Sequence, residues 1–351
     1  MATTDRRQLL GPLLKGVSRS FYLTLSILPA GMRDPVGLAY LLARAADTIA
    51  DTALIAPGKR LELLLSLRRQ VNGEPDAASL REIVDEIATQ QKDSDERTLL
   101  ESLGPALEMI AQFSDADIVA IRGIVSTLTE GMEFDLRTFP EEFSGRVVAL
   151  EAYSQLDRYT YMVAGCVGEF WTRMTYAHVT ARLGEDEATM IERGIRLGKA
   201  LQLTNILRDC PKDLRISRCY LPQTMLAEAG LSPEDLLRPE NSHRARPVLL
   251  QLTRIALDHF RAGLEYTTAL PRTAVRLRLA CVWPIVIGLE TFRLLVASEC
   301  WLDPQHPAKI RRNDVYRIIA GSLPRIPSNR MLRSWIEGLI RDTEEQIRSG
   351  R

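Results

Sequence analysis

An all-α fold around a central apolar cavity is what this sequence predicts, on three observations. Period-two alternation is nearly absent, while apolar residues recur three and four apart through most of the chain. Of the 351 residues, 46% are hydrophobic, enough for a sizeable core in one large bundle-like domain spanning 1–351. Two otherwise apolar stretches each carry a row of polar side chains on one helix face. Buried charge is tolerated only with a partner, so the rows predict an internal hollow and a guest.

Leu9 to Lys15 reads as a short amphipathic helix, followed by Ser18-Arg19-Ser20-Phe21-Tyr22 and a break at Pro29 and Gly31. Asp34-Pro35 reads as a helix start, with proline in the first turn where its missing N–H does no harm, and that helix runs to about Asp51. Leu61 to Gln70 is helical, and Asn72-Gly73-Glu74-Pro75 turns. Leu80 to Ala88 and Arg97 to Phe113 are helical again, the second broken at Gly104-Pro105. Ser114-Asp115-Ala116-Asp117 is an N-cap signature for a helix from Ile118 to about Arg137, which Pro140 ends. Leu150 to Leu183 reads as one long helix with weak points at Gly165 and Gly168, and Glu187 to Asp209 as another. After an irregular, proline-punctuated stretch, Val248 to Leu264 and Val275 to Cys300 are long helices, the second kinked or broken by Pro284. Trp301 to Asn313 is a polar loop, and helices over Asp314 to Ala320 and Met331 to Arg348 close the chain.

In the first polar row Tyr40, Arg44, Asp47 and Asp51 stand at steps of four, three and four; in the second Gln202, Asn205, Asp209 and Asp213 stand at steps of three, four and four. Such steps keep each set on one helix face. One Asp-x-x-x-Asp pair is common on a solvated face. Two of them on helices of Leu, Ile and Ala suggest carboxylates facing each other across a cavity. Hard oxygen donors in a row suit magnesium, which keeps waters and accepts substrate phosphate oxygens, so the expected guest is a metal-borne diphosphate. Arg208, Arg215 and Arg218 flank the second row and could neutralise phosphate charge or form ordinary salt bridges on a loop, and Ser18 and Arg19 could serve the phosphate too. Pro211 interrupts this row. It removes a helix hydrogen bond and clashes four residues back, so the helix is expected to kink or end there. Tyr159 to Gly168 is apolar with two glycines, each about 1 kcal/mol worse than alanine inside a helix. Either a neighbouring helix or an apolar ligand comes close there. Lys309-Ile310-Arg311-Arg312 is a local basic cluster that could receive a nucleotide phosphate or simply face solvent.

Composition excludes several classes. Lys plus Arg and Asp plus Glu are 45 each, without the basic excess of a nucleic-acid binder. Five scattered cysteines with no Cys-x-x-Cys point to a reducing compartment and away from a disulfide frame or zinc site. No signal peptide is read at the N-terminus. The longest apolar run, Leu279 to Leu289, is too short to span a bilayer. A cytoplasmic protein with no transmembrane anchor is expected. Gly194 to Ala200 looks like a phosphate loop but is one residue short, ends in Ala where Ser or Thr should stand, and lies inside a helical pattern.

Ser18-Arg19-Ser20-Phe21, Asp47-Thr48-Ile49-Ala50-Asp51, Tyr159 to Gly168 and Gln202 to Asp213, in that order, resemble the squalene/phytoene synthases, which join two prenyl diphosphates head to head. The resemblance covers about Val17 to Leu221 well and the rest loosely. It implies an isoprenoid-synthase-type helical fold with Mg2+ held by Asp47, Asp51, Asn205, Asp209 and Asp213. By the same resemblance Arg19, Arg44, Arg208 and Arg218 would hold phosphate oxygens, and Ser18, Phe21, Tyr40 and Gln202 would belong to the substrate site. Tyr159 would take a proton or steer the cation; Val163, Ala164, Gly165 and Gly168 would line the prenyl channel. Lys309, Arg311 and Arg312 resemble the basic loop that receives NADPH in squalene synthases. That favours squalene synthesis from two farnesyl diphosphates by way of a cyclopropyl (presqualene) diphosphate. Phytoene, dehydrosqualene, presqualene or hydroxysqualene formation are the alternatives within the family. A catalytically inactive assembly factor is the alternative outside enzymes, and the two intact aspartate pairs speak against it. The oily product leaves peripheral membrane contact open.

Overall fold

The computed structural model describes residues 6–18 and 22–349. Their packing divides into two compact units, Met1–Pro140 with Phe170–Thr180, and Glu141–Glu169 with Ala181–Arg351. Both are helical, as expected; among the described residues the one sheet is a parallel pair of two-residue strands, Val148–Ala149 with Arg218–Cys219.

In the first unit the Ala30–Asp51 helix carries an apolar face in which Leu38, Leu41, Leu42, Ala45, Ala46 and Ile49 are fully buried. It packs on the Asp115–Thr138 and Pro57–Val71 helices. It begins at Ala30, four residues before the expected Asp34, because Pro29 is extended and stops the chain from being helical any earlier. Its last turn is closed by the buried Arg60 guanidinium, which donates to the Ala50 carbonyl at 2.7 Å. The break expected at Gly104-Pro105 falls at Ser102, between the Ser94–Glu101 and Leu103–Ile110 helices. Pro105 thereby lies in a first turn, where no N–H is needed. Ser114 caps the next helix as its sequence predicts, its Oγ accepting from the Asp117 N–H at 3.2 Å.

In the second unit the 29-residue Glu187–Arg215 helix packs on the Ser242–Ala269 and Val275–Ala297 helices. Of the kink or break expected at Pro211 and Pro284, the break does not occur: both helices run through their prolines. The stretch expected as one helix over Leu150 to Leu183 is a Tyr153–Thr160 helix, a wider turn over Tyr161–Gly165, and a Cys166–His178 helix whose residues from Phe170 on belong to the first unit. The apolar run Leu279 to Leu289 is part of the 23-residue Val275–Ala297 helix, whose mean hydropathy of 1.8 makes it long and apolar enough to cross a membrane. Two-thirds of that stretch is nevertheless buried in the protein, and Val282, Ile285, Leu289 and Phe292 are fully enclosed. It serves as a core helix of this unit.

Candidate active site

The first acidic row lies on the last three turns of the Ala30–Asp51 helix. Arg44 donates to Asp47 at 2.6 Å and to Glu96 on the Ser94–Glu101 helix. Burial works against the Arg44 charge, yet Asp47 and Glu96 outweigh it and hold the guanidinium above its usual range. Tyr40 lies one turn earlier, half-buried, and Asp51 is exposed. Crowding by the surrounding protein, then the negative charge of Asp51 and more weakly of Glu96, pushes Asp47 up from 3.8 to about 6, with Arg44 pulling the other way. Solvent reaches 39% of the Asp47 side chain and screens part of this strain.

A raised carboxyl pKa fixes a sign. Between pH 4 and pH 6 the folded chain holds a proton on Asp47 that the unfolded chain has released, so this group's contribution to stability falls as pH rises through that window and is lowest above it. Without metal, Asp47→Asn is therefore expected to melt higher than the parent at pH 7, with the difference shrinking towards pH 4. Equal melting differences at both pH values would remove the strain from Asp47.

The second row runs along the Glu187–Arg215 helix. Asn205 is exposed and lies 3.5 Å from the Gln202 Oε1 through its Nδ2. Arg208 grips both oxygens of Asp209, at 2.9 and 2.5 Å, and this contact holds the Arg208 pKa above its usual value. Because the helix continues through Pro211, Asp213 stands on the same helix one turn past Asp209. Arg218, on the short strand, is already paired with Glu142. Each partner has a non-glycine neighbour in the left-handed region, Phe143 at φ 60° after Glu142 and Ser217 at φ 68° before Arg218, a conformation costing about 1–3 kcal/mol each.

Tyr159 is buried in the last turn of its helix, its ring stacked on Tyr220 at 4.9 Å between centroids. The glycines after it lie close against the Glu187–Arg215 helix. A Cβ at Gly168 would lie 1.9 Å from the Gly194 carbonyl oxygen, and one at Gly198 would lie 2.2 Å from the Ala164 carbonyl oxygen. Gly165 is buried against Tyr161 and Ile195. Val163 and Ala164 are half-buried. Ser18 is buried and gives its hydroxyl to the Leu14 carbonyl at 2.5 Å, whereas Arg19 and Phe21 lie outside the described residues. Lys309, Arg311 and Arg312 are exposed, and Arg312 opens the Arg312–Ser322 helix where a loop was expected.

Glu96, Glu142 and Tyr220 are the residues that reading the sequence missed. Glu96 and Glu142 stand in no pattern with the rows, and only contact reveals them. Tyr220 had one signal, its place two residues after Arg218 in an apolar return to the core.

Among the described residues no three His, Cys, Asp or Glu side chains converge as a ready-made metal cage. Two carboxylates per row still fit magnesium, which draws its other ligands from water and phosphate. Burial first, and the nearby Asp51 and Glu96 carboxylates second, hold Asp47 above its usual range despite Arg44, and this carboxylate crowding is the observation that favours a further cation there.

The fold and these rows define an all-α protein with two Asp-x-x-x-Asp helices, each with its own arginine. The sequence profile described as squalene/phytoene synthase matches residues 14–314, and the chain belongs to that family, a family of enzymes. It is 28% identical over 279 residues to a bifunctional lycopene cyclase/phytoene synthase of Colletotrichum graminicola, covering 78% of this chain and 43% of that one. It is 26% identical over 313 residues to the squalene synthase of Schizosaccharomyces pombe, covering 89% and 64%. The chain thus spans about half the length of the curated relatives it matches. Among solved structures, TcSQS in complex with the ligand E5700 superposes with a TM-score of 0.73 at 22% identity, covering 99% of both chains. The fold is therefore of the isoprenoid-synthase type.

Proposed function

We propose that the chain is a magnesium-dependent head-to-head prenyltransferase that joins two farnesyl diphosphates, passes through a cyclopropyl diphosphate, and ends at squalene with hydride from NADPH. The observation carrying this reading is the pair of acidic rows, each with an arginine within hydrogen-bond reach of an aspartate. Magnesium, when bound, neutralises diphosphate so that it can leave. Asp47, Asp51, Asn205, Asp209 and Asp213 would hold it. Arg44 and Arg208, which now hold aspartates, would be within reach to donate to phosphate oxygens instead. The arginine–aspartate contacts are partly exposed, with 36% and 41% exposure at Arg208 and Asp209. Breaking such a pair costs only about 0–1 kcal/mol, less than a charged hydrogen bond to phosphate returns. The buried Tyr159 would guide the proton or the cation in a setting that excludes water, and Lys309, Arg311 and Arg312 would meet the NADPH phosphates.

Incubation with farnesyl diphosphate and Mg2+, with and without NADPH, tests the reading: diphosphate release and NADPH-dependent squalene support it, and no release sinks it. A second reading, phytoene formation without NADPH, is favoured by the bifunctional phytoene synthases among the relatives, and a C40 product from geranylgeranyl diphosphate would select it; a C30 dehydrosqualene made from farnesyl diphosphate without NADPH would select dehydrosqualene formation instead. Tyr159→Phe is expected to lower kcat about 10²-fold with KM little changed. A change confined to KM would make Tyr159 a binding residue.

A further inference from the structure

Pro211 has no N–H, so the Leu207 carbonyl four residues back lacks its intrahelical donor. Leu207 and Pro211 are both buried, where an unpaired carbonyl is costly. The structure supplies a substitute from far along the chain. The Trp301 indole, itself buried, donates its Nε1–H to the Leu207 oxygen at 2.9 Å. Trp301 is anchored in turn. The Leu302 N–H donates to Ser242 Oγ at 3.1 Å, and Arg246 donates to the Val296 and Ser298 carbonyls at 2.5 and 3.0 Å. The segment from Ser298 to Leu302 is thus fixed to the start of the Ser242–Ala269 helix, and its tryptophan reaches the turn between Asn205 and Asp209.

We propose that Trp301 is a positioning residue for the second acidic row: its N–H replaces the one Pro211 lacks and keeps the helix in register from Asn205 through Asp213. This explains why the helix runs on to Arg215 across a proline. The part that concerns metal binding rests on the function proposed above; the hydrogen bond does not.

A double-mutant cycle tests it. Trp301→Phe keeps an aromatic ring, smaller than the indole, and removes the donor, the lost volume costing the same in either background; Pro211→Ala restores an intrahelical N–H. Melting without metal and the Mg2+ concentration for half-maximal diphosphate release are measured for parent, both single variants and the double variant. With Pro211 in place, Trp301→Phe is expected to lower Tm by about 2–4 °C and raise the Mg2+ requirement roughly tenfold. In the Pro211→Ala background both penalties should shrink clearly, leaving the Tm loss due to the smaller ring alone, since the carbonyl then has its own donor. Equal penalties in the two backgrounds, or failure to fold in both, would overturn the proposal. Coupling in Tm with an unmoved Mg2+ requirement would reduce Trp301 to a structural strut and also overturn it. If the parent releases no diphosphate at all, the functional reading fails, while the melting cycle still decides the hydrogen bond.

Discussion

Asp47→Asn and Asp209→Asn are each expected to cut Mg2+-dependent diphosphate release from farnesyl diphosphate by about 10²–10³-fold, the loss typical of removing one electrostatic stabiliser of a developing charge. Asparagine keeps the size and one oxygen of aspartate but not its charge, and charge is what a divalent cation needs. The structure separates this from misfolding. Asp47 and Asp209 expose 39% and 41% of their side chains and fill no core space, so circular dichroism should show unchanged helix content. The Asp47 variant should even melt higher at neutral pH, because the carboxylate removed is one its neighbours strain. Near-normal turnover in either variant would show that its row does not hold the metal.

The rows themselves were legible because helix periodicity is a strong signal: steps of three and four put the side chains on one face whatever the tertiary setting. The capping of Asp115–Thr138 by Ser114 was legible for the same local reason. What the sequence hid is non-local. Glu96 and Glu142 reach Arg44 and Arg218 from other parts of the chain, and nothing at their own positions announces it. The sequence allowed a kink or an end at Pro211, and the choice between them is non-local as well: the helix runs on, and the carbonyl that proline leaves without a donor is met by Trp301, 90 or so residues on. For Arg218 the sequence offered a salt bridge or a phosphate, and it could not name Glu142, the partner that the fold brings to it. The two left-handed residues flanking that pair could not be foreseen, since neither Phe143 nor Ser217 is a residue that favours such a backbone.

Gly168→Ala and Gly198→Ala are expected to destabilise the chain by about 3 kcal/mol or more, a Tm loss of roughly 6–12 °C. In both, the new methyl would meet a carbonyl oxygen, 1.9 Å away at Gly168 and 2.2 Å away at Gly198. Backbone cannot swing aside as a side-chain tip can, so two helix axes must move apart. Gly123→Ala and Gly338→Ala are the controls. Both lie inside helices with nothing within 4 Å of the added carbon, so each should gain about 0.5–1 kcal/mol from the stiffer unfolded chain. The comparison also decides what these glycines are for. The sequence left open a neighbouring helix or an apolar ligand at Gly165 and Gly168, and family resemblance favoured the ligand. A glycine lining a prenyl channel would, on becoming alanine, shorten the preferred substrate and leave melting nearly unchanged. A glycine set against the Gly194 carbonyl does the opposite, lowering Tm with substrate preference intact, and the 1.9 Å left for a Cβ at Gly168 predicts that second outcome.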